Sequence, residues 1–283
     1  MAGRKMDWST TPRTDEFRVR DATELQPLNI PKASNKQLWV TVYVPADASP
    51  GQYLAEIVLT SKGRELALVP LSLEVLPFAL SKPRIDYSFY YRGILDEAWP
   101  DGSVSSEYKS EAQMLAEFRN LKAHGVSNPV VYQPLASDLL ERVLELRQQA
   151  GMDTERLLYL GLDMGPAIYR GTPADQTYRE LELPELVSKT KKIAADFDFK
   201  NVYFYARDEA RGDLLVDQQA AWNVVKSAGG RVIAAGWRSS GGKPGNFDTT
   251  GGAEDLYVCL GMPSRYESAR WHGKGKLIYS YQN

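Results

Sequence analysis

Asp208 and Glu209 are adjacent carboxylates at the end of a segment that has the composition of a buried strand. The segment, residues 201–207, consists mainly of β-branched and aromatic residues and carries a charge only at its far end. Two carboxylates at such a place repel each other and are partly desolvated, so one can stay protonated near neutral pH while the other is ionised. This combination suits acid-catalysed cleavage of an acetal. Alternatively, Asp208 caps the following helix and Glu209 is a solvated charge of its first turn.

Composition excludes several classes of function. The 283 residues are 43% hydrophobic and 25% charged, which is ordinary for a globular protein. A net charge of −2, without a cluster of lysines and arginines, gives no electrostatic basis for binding nucleic acid. No apolar segment is long enough to span a membrane, and residues 1–14 lack the apolar core of a signal peptide, so we expect no membrane association and leave the compartment and the oligomeric state open. The single cysteine, Cys259, allows neither an intrachain disulfide nor a metal cluster, and we expect no cofactor.

The pattern along the chain changes twice and predicts three regions. Residues 1–36 are polar and irregular. Residues 37–82 contain three β-rich segments, 38–44, 53–60 and 65–75, with a turn signal at 61–64, and predict a small antiparallel β-sandwich-like module. Residues 83–283 alternate between strand-like and helix-like segments, which predicts right-handed crossovers and a parallel sheet.

This third region reads as a (β/α)8-type barrel that is incomplete. Seven strands are expected, at residues 85–91, 129–132, 157–162, 201–206, 231–235, 255–260 and 276–281. Helices are expected at residues 106–123, 138–150, 183–197, 214–228 and 264–271. Seven strands are many for an open doubly wound sheet, and residues 90–94 lack the glycine spacing of a dinucleotide site. A barrel without its last unit is therefore preferred.

Active sites of such barrels lie at the carboxyl ends of the strands. Any one polar or aromatic residue at such an end is more simply a loop or packing residue, but many converge here, which favours a ligand site. Aromatic rings stack on sugar faces, and guanidinium and amide groups bind hydroxyls, so a carbohydrate ligand is expected. The expected substrate-binding residues are Tyr91, Arg92, Tyr132, Asp163, Arg207, Trp237, Tyr281 and Asn283.

The position of the second catalytic group narrows the chemistry. Retaining glycosidases with an enzyme-borne nucleophile commonly place a carboxylate at the seventh strand, whereas residues 279–283 contain no acid. The partner of Glu209 must then be its neighbour, Asp208. This favours substrate-assisted hydrolysis, in which the 2-acetamido oxygen of the substrate attacks the anomeric carbon.

Residues 203–210, which include the Asp208–Glu209 pair, resemble the motif of glycoside hydrolase family 123, whose members are retaining β-N-acetylgalactosaminidases. Residues 38–45 and 50–53 resemble the β-sandwich that precedes such barrels. The resemblance implies that Glu209 is the general acid/base and that Asp208 positions the acetamide. It further implies that Arg92 holds sugar hydroxyls and that Tyr281 bonds the acetamide oxygen. Relatives of this kind are often exported.

Two other functions remain open from the sequence. The barrel can be a catalytically inactive carbohydrate-binding or structural module, because it is incomplete. It can also be an enzyme acting on uronic acids or other acidic sugars, because several arginines are expected near the rim. These arginines are Arg92, Arg207, Arg238 and Arg265.

Overall fold

The computed structural model describes residues 27–81, 84–99, 105, 107–162, 173–205 and 207–281. The chain divides into two compact units, one ending at Ile85 and the other beginning at Asp86. None of the helices described is long and apolar enough to cross a lipid bilayer.

The first unit is built on one antiparallel hairpin, β1 (Gly51–Ser61) and β2 (Arg64–Val75). Lys62 and Gly63 join the strands with φ values of 49° and 75°, the left-handed conformation that tight hairpin turns require. One face of the hairpin carries only apolar side chains, and such a face is normally packed against another layer of a protein. These side chains are Tyr53, Ala55, Ile57, Leu59, Ala67, Val69, Leu71 and Leu73.

The three-stranded, sandwich-like arrangement expected for this unit is wrong in one respect. The sheet has two strands, and residues 38–44 are irregular. These residues have high β-propensity, but a segment forms a strand only where it can pair with a neighbouring strand. Propensity alone therefore does not make residues 38–44 a strand. Trp39 and Tyr43 are exposed instead of packing in a sandwich core.

The second unit alternates strands and helices, and six of the seven strands expected from its sequence are present. Its strands are β3 (Ile94–Leu95), β4 (Tyr108–Lys109), β5 (Val130–Val131), β6 (Arg156–Tyr159), β7 (Asn201–Tyr205), β8 (Arg231–Gly236), β9 (Leu256–Leu260) and β10 (Leu277–Tyr281). Its helices are α1 (Glu111–Ala123), α2 (Leu140–Gln149), α3 (Pro173–Thr177), α4 (Leu183–Asp196), α5 (Asp213–Ser227), α6 (Asn246–Thr250) and α7 (Arg265–His272). A π-helical turn, Tyr178–Glu182, joins α3 to α4.

Local sequence explains where several helices begin. The Ser110 side chain accepts a hydrogen bond from the Gln113 amide, and the Gln113 side chain bonds back to Ser110. Because of this capping box, α1 begins at Glu111, five residues after the start at residue 106 that the sequence predicts. Ser264 caps α7 through the Glu267 amide in the same manner, and a proline in the first turn, Pro184, suits the start of α4.

Six strands form one parallel sheet in the order β5–β6–β7–β8–β9–β10, so each strand pairs with its neighbour in sequence. The segment expected as the first barrel strand runs beside this sheet. The carbonyl oxygens of Tyr87 and Phe89 accept hydrogen bonds from the amides of Ser127 (3.0 Å) and Val130 (2.9 Å). The segment thus runs next to β5 but forms no regular β-ladder with it. The parallel sheet, this segment and the helices together form a half-barrel.

Alternating side chains divide the core into an outer and an inner layer. Along β7, Val202 and Phe204 point outward into the layer shared with the helices, whereas Tyr203 and Tyr205 point inward. The inner layer collects the inward-facing residues of all six strands. Its buried members are Val130, Leu158, Tyr203, Tyr205, Ile233, Ala235, Leu256 and Val258. Cys259 lies in the outer layer as a buried free thiol.

Candidate active site

The acidic pair lies in the turn that follows β7. Tyr205 is the last residue of β7, Asp208 is exposed and Glu209 is half-buried. The backbone amide of Arg207 donates to the side-chain oxygen of Gln218 (2.9 Å), and Gln218 is fully buried on α5. This bond ties the start of the turn to the following helix.

Glu209 adopts a backbone conformation that is unusual for a residue with a side chain. Its φ is 46°, in the left-handed region. For a residue other than glycine this conformation costs about 1–2 kcal/mol and persists only when surrounding contacts fix it. Such strained residues cluster at functional sites.

Each carboxylate receives a hydrogen bond from a different tyrosine. The Tyr205 hydroxyl donates to Oδ1 of Asp208 at 2.6 Å, and the Tyr281 hydroxyl donates to Oε1 of Glu209. Tyr281 is on β10, three strands from β7, a separation of about 14 Å along the sheet at normal strand spacing. The bond therefore crosses the concave side of the sheet, and the pair lies at the mouth of the half-barrel.

Three tyrosines form an aromatic wall beneath the pair. The ring of Tyr90 meets those of Tyr205 and Tyr281 edge to face, with centroids 6.3 and 6.2 Å apart. The hydroxyls of Tyr90 and Tyr205 lie 3.5 Å apart. Because Tyr90 belongs to the first barrel segment, these contacts join the beginning, the middle and the end of the curved sheet at one place.

The phenols around the pair stay protonated at neutral pH. Burial raises the pKa of Tyr90 to about 12. Burial also raises the pKa of Tyr205 and of Tyr281, and the hydrogen bonds to Asp208 and Glu209 add to both shifts. The pKa of Tyr132 is raised by burial, with Arg92 opposing the shift and Asp208 reinforcing it. All four phenols are thus neutral hydrogen-bond donors under physiological conditions.

Two expected binding residues on the first barrel segment lie apart from the pair. The Tyr91 side chain is buried in the outer layer, where its hydroxyl donates to Glu117 of α1 (2.7 Å) and its ring packs on Phe118. Arg92 is largely exposed and forms an ion pair with Glu107 (2.7 Å). Adjacent strand residues point to opposite faces, so the inward position belongs to Tyr90.

Trp237 follows β8 and is covered by an arginine that the sequence analysis did not select. The guanidinium carbon of Arg211 lies 3.5 Å from the centroid of the Trp237 ring. Asn246 holds the main chain of Trp237 through two hydrogen bonds. The side-chain oxygen of Asn246 accepts a hydrogen bond from the backbone amide of Trp237 (3.1 Å), and the backbone amide of Asn246 donates one to the Trp237 carbonyl (2.8 Å). The indole N–H is shielded from solvent and has no hydrogen-bond partner among the residues described.

The remaining expected residues divide into those at the rim and those that are not described. Tyr132 is half-buried beside the inner layer, and Arg207 is half-buried in the turn before the pair. Arg238 and Arg265 are exposed. Asp163 and Asn283 lie outside the described residues.

Comparison with known proteins gives distant similarity to solved structures. No family model matches the chain, and no curated protein matches it. Among solved structures, the spore cortex-lytic enzyme SleL of Bacillus cereus is similar, with 10% sequence identity and a TM-score of 0.39 over 77% of this chain and 54% of that chain. The chain thus spans about half the length of that enzyme. At this level of similarity the match assigns no function to the chain.

The described part of the site offers acid/base chemistry. It contains no group of three or more histidines, cysteines or acids that could hold a metal ion. Asp208 and Glu209 each use one carboxylate oxygen for a tyrosine, and the second oxygen of each forms no hydrogen bond with the residues that the structure describes. Two carboxylates and several neutral phenols around an aromatic wall suit proton transfer to and from a hydroxyl-rich ligand.

Sequence reasoning missed Tyr205 and Arg211, and on the first barrel segment it selected Tyr91 although the inward residue is Tyr90. A signal for Tyr205 was present, since alternation along β7 places it on the same face as Tyr203 and directly before the turn. Tyr90 and Tyr91 are identical in type, so the sequence did not distinguish the inward residue from the outward one. Nothing in the sequence indicated that Arg211 would stack on a residue 26 positions later.

Proposed function

We propose that the chain is a retaining glycoside hydrolase that acts on N-acetylhexosaminides by a substrate-assisted mechanism. One observation carries the proposal: the adjacent acids Asp208 and Glu209 are held at the mouth of the half-barrel by hydroxyls from two different strands. The resemblance of residues 203–210 to the motif of glycoside hydrolase family 123 supports the same assignment.

In the first step, Glu209 acts as the general acid. Its carboxyl proton goes to the glycosidic oxygen as the bond to the anomeric carbon breaks, and the leaving group departs as an alcohol. The acetamide oxygen of the substrate attacks the anomeric carbon from the opposite face and forms a cyclic oxazolinium ion. Asp208 accepts a hydrogen bond from the acetamide N–H and stabilises the positive charge that develops there.

In the second step, Glu209 acts as the general base. Its carboxylate takes a proton from water as the water oxygen attacks the anomeric carbon, and the acetamide oxygen leaves. Two displacements at the same carbon retain its configuration. The Tyr205 hydrogen bond fixes one oxygen of Asp208 and so directs the other toward the acetamide, and the Tyr281 hydrogen bond does the same for Glu209.

The proposal extends to the fold and the ligand surface. The half-barrel, residues 83–283, is the catalytic part of a (β/α)8-type barrel, and residues 37–82 form an accessory β-module before it. The rings of Tyr90, Tyr132 and Tyr281 form the surface on which the sugar packs. Arg92 and Arg207 contribute donors at the edge of this surface.

The variant Glu209→Gln tests the function. It keeps the shape of the side chain and removes the proton that is transferred, so hydrolysis of an aryl N-acetylhexosaminide with a poor leaving group should fall at least about 100-fold, a typical contribution of general acid catalysis. With an activated aryl leaving group, which departs without protonation, the cyclic intermediate still forms, and added azide should restore turnover by attacking it and give a glycosyl azide of retained configuration. The control is Glu185→Gln, on the exposed surface of α4.

Two outcomes would contradict the proposal. Unchanged turnover in Glu209→Gln would show that Glu209 is not the acid. Saturable sugar binding without hydrolysis, across a panel of aryl N-acetylgalactosaminides, N-acetylglucosaminides and plain hexosides, would identify the chain as a non-catalytic carbohydrate-binding module.

A further inference from the structure

We propose that the sugar bound at this site is acidic, carrying a carboxylate or a sulfate ester, and that the guanidinium of Arg211 receives the acidic group. The inference rests on the function proposed above and narrows its substrate class.

The Arg211 side chain is suited to binding an anion. Its guanidinium carbon lies over the Trp237 ring, 3.5 Å from the ring centroid, and the residue is exposed. A guanidinium stacked on an aromatic face keeps its in-plane N–H groups available for a carboxylate or sulfate, which they bind in a bidentate manner. Stacking also restricts the side chain before a ligand arrives, so less entropy is lost on binding.

The charge of Arg211 has no counterpart in the described part of the chain. Some arginines there do pair with carboxylates, as Arg92 does with Glu107, Arg142 with Glu111 and Arg270 with Asp248. No carboxylate among the described residues pairs with Arg211. Of the acids within three residues of Arg211 in sequence, Asp208 and Glu209 use their tyrosine partners instead, and Asp213 is exposed at the start of α5.

The platform beneath Arg211 is rigid. Trp237 is held through both its amide and its carbonyl by Asn246, and Asn246 is itself buried and bonded to Glu254 (3.2 Å). A rigid platform places the guanidinium in one position, which is what selection for a charged group on one side of a sugar requires.

The charges at the rim also orient the ligand. An acidic sugar is repelled by the two carboxylates unless its own charge points away from them. Arg211 follows Glu209 by two residues, and the exposed Arg238 follows Trp237 directly. The anionic substituent is therefore drawn toward the side of the mouth formed by the loops after β7 and β8, and the neutral part of the sugar is left beside the acids.

Calorimetric titration of the full chain with monosaccharides tests the inference. The probes are free glucuronate and N-acetylgalactosamine 6-sulfate, each compared with its uncharged parent sugar. The variants are Arg211→Gln and Arg211→Lys. Arg119→Gln, on the exposed surface of α1, is the control with the same loss of charge.

The wild-type chain should bind at least one acidic sugar about tenfold more tightly than its parent, a typical value for one charged, hydrogen-bonded contact. Arg211→Gln should reduce this preference to within twofold, because it weakens binding of the acidic sugar far more than binding of its uncharged parent. Arg211→Lys should retain only a small part, because an ammonium group neither stacks nor binds in a bidentate manner. Arg119→Gln should retain all of it, and the two probes show whether the carboxylate or the sulfate is preferred.

Equal affinity of the wild-type chain for charged and uncharged sugars would overturn the inference, and so would an equal loss of both in Arg211→Gln. The two proposals fail separately. Hydrolysis that depends on Glu209 without a preference for acidic sugars removes only this inference. A preference that depends on Arg211 without hydrolysis removes only the catalytic function, and the absence of all sugar binding removes both.

Discussion

Replacing Tyr205 by phenylalanine isolates the hydrogen bond that positions Asp208. The ring stays in the inner layer, so packing against Tyr90 is kept, and only the hydroxyl bound to Oδ1 of Asp208 at 2.6 Å is lost. A hydrogen bond to a charged acceptor contributes about 1.5–3 kcal/mol. Since about 1.4 kcal/mol corresponds to a factor of ten in rate, complete loss would lower kcat by about 10- to 150-fold.

The exposure of Asp208 favours the lower end of that range. Water reaches the carboxylate and replaces part of the lost bond, so we expect kcat to fall about tenfold. The KM for an N-acetylhexosaminide should change less than about threefold, because Asp208 acts mainly on the charge that develops in the transition state. The assay is steady-state hydrolysis of an aryl N-acetylhexosaminide, with thermal unfolding measured in parallel.

Tyr203→Phe is the matched control. Tyr203 precedes Tyr205 by two residues on β7 and points into the same inner layer, but it forms no hydrogen bond with either acid. Its kcat should stay within about twofold of the wild-type value. If both variants lose the same activity, or if Tyr205→Phe keeps full activity in a folded chain, then the Tyr205 hydroxyl does not position a catalytic group.

Two further predictions concern stability. The folded-state pKa of Tyr90 and Tyr279 is about 12, above the ordinary value of 10, so their contribution to stability is fully present below pH 10 and is lost as pH rises toward 12. The midpoint of urea denaturation should therefore fall over this pH range, and it should fall less in Tyr90→Phe. A midpoint that stays constant would contradict the assignment. Arg147 is fully buried and donates to the carbonyls of Pro129 (3.3 Å) and Asp153 (3.1 Å), so Arg147→Met should lower the free energy of unfolding by about 3 kcal/mol. Arg142→Met, which removes ion pairs at the surface of the same helix, should cost less than about 1 kcal/mol in the same measurement.

Much of the half-barrel was predictable because its strands are buried on both faces. Segments such as residues 201–205 and 256–260 are short, apolar and bounded by helical patterns, which leaves little choice of structure. The position of Asp208 and Glu209 after β7 follows from that strand alone. Their tyrosine partners were harder to predict, because Tyr281 reaches Glu209 only through the curvature of a sheet of several strands.

The errors have physical causes as well. Residues 38–44 have the composition of a strand, but strand formation depends on a neighbouring ladder that a sequence pattern does not specify. The alternation of Tyr90 and Tyr91 fixes that they face opposite ways and leaves the choice of face to the packing of the whole sheet. The stacking of Arg211 on Trp237 joins two loops, and loops carry no periodic signal.

The attachment of Glu209 to β10 makes the acid depend on a strand at the edge of the sheet. In the described part of the chain, β10 is an edge strand and pairs only with β9. Edge strands open at lower free energy than the interior of a sheet. When β10 detaches, Glu209 loses the Tyr281 hydroxyl and with it a contact that holds its left-handed backbone. Local opening at this edge of the sheet would therefore abolish the activity of the site while the rest of the molecule stays folded.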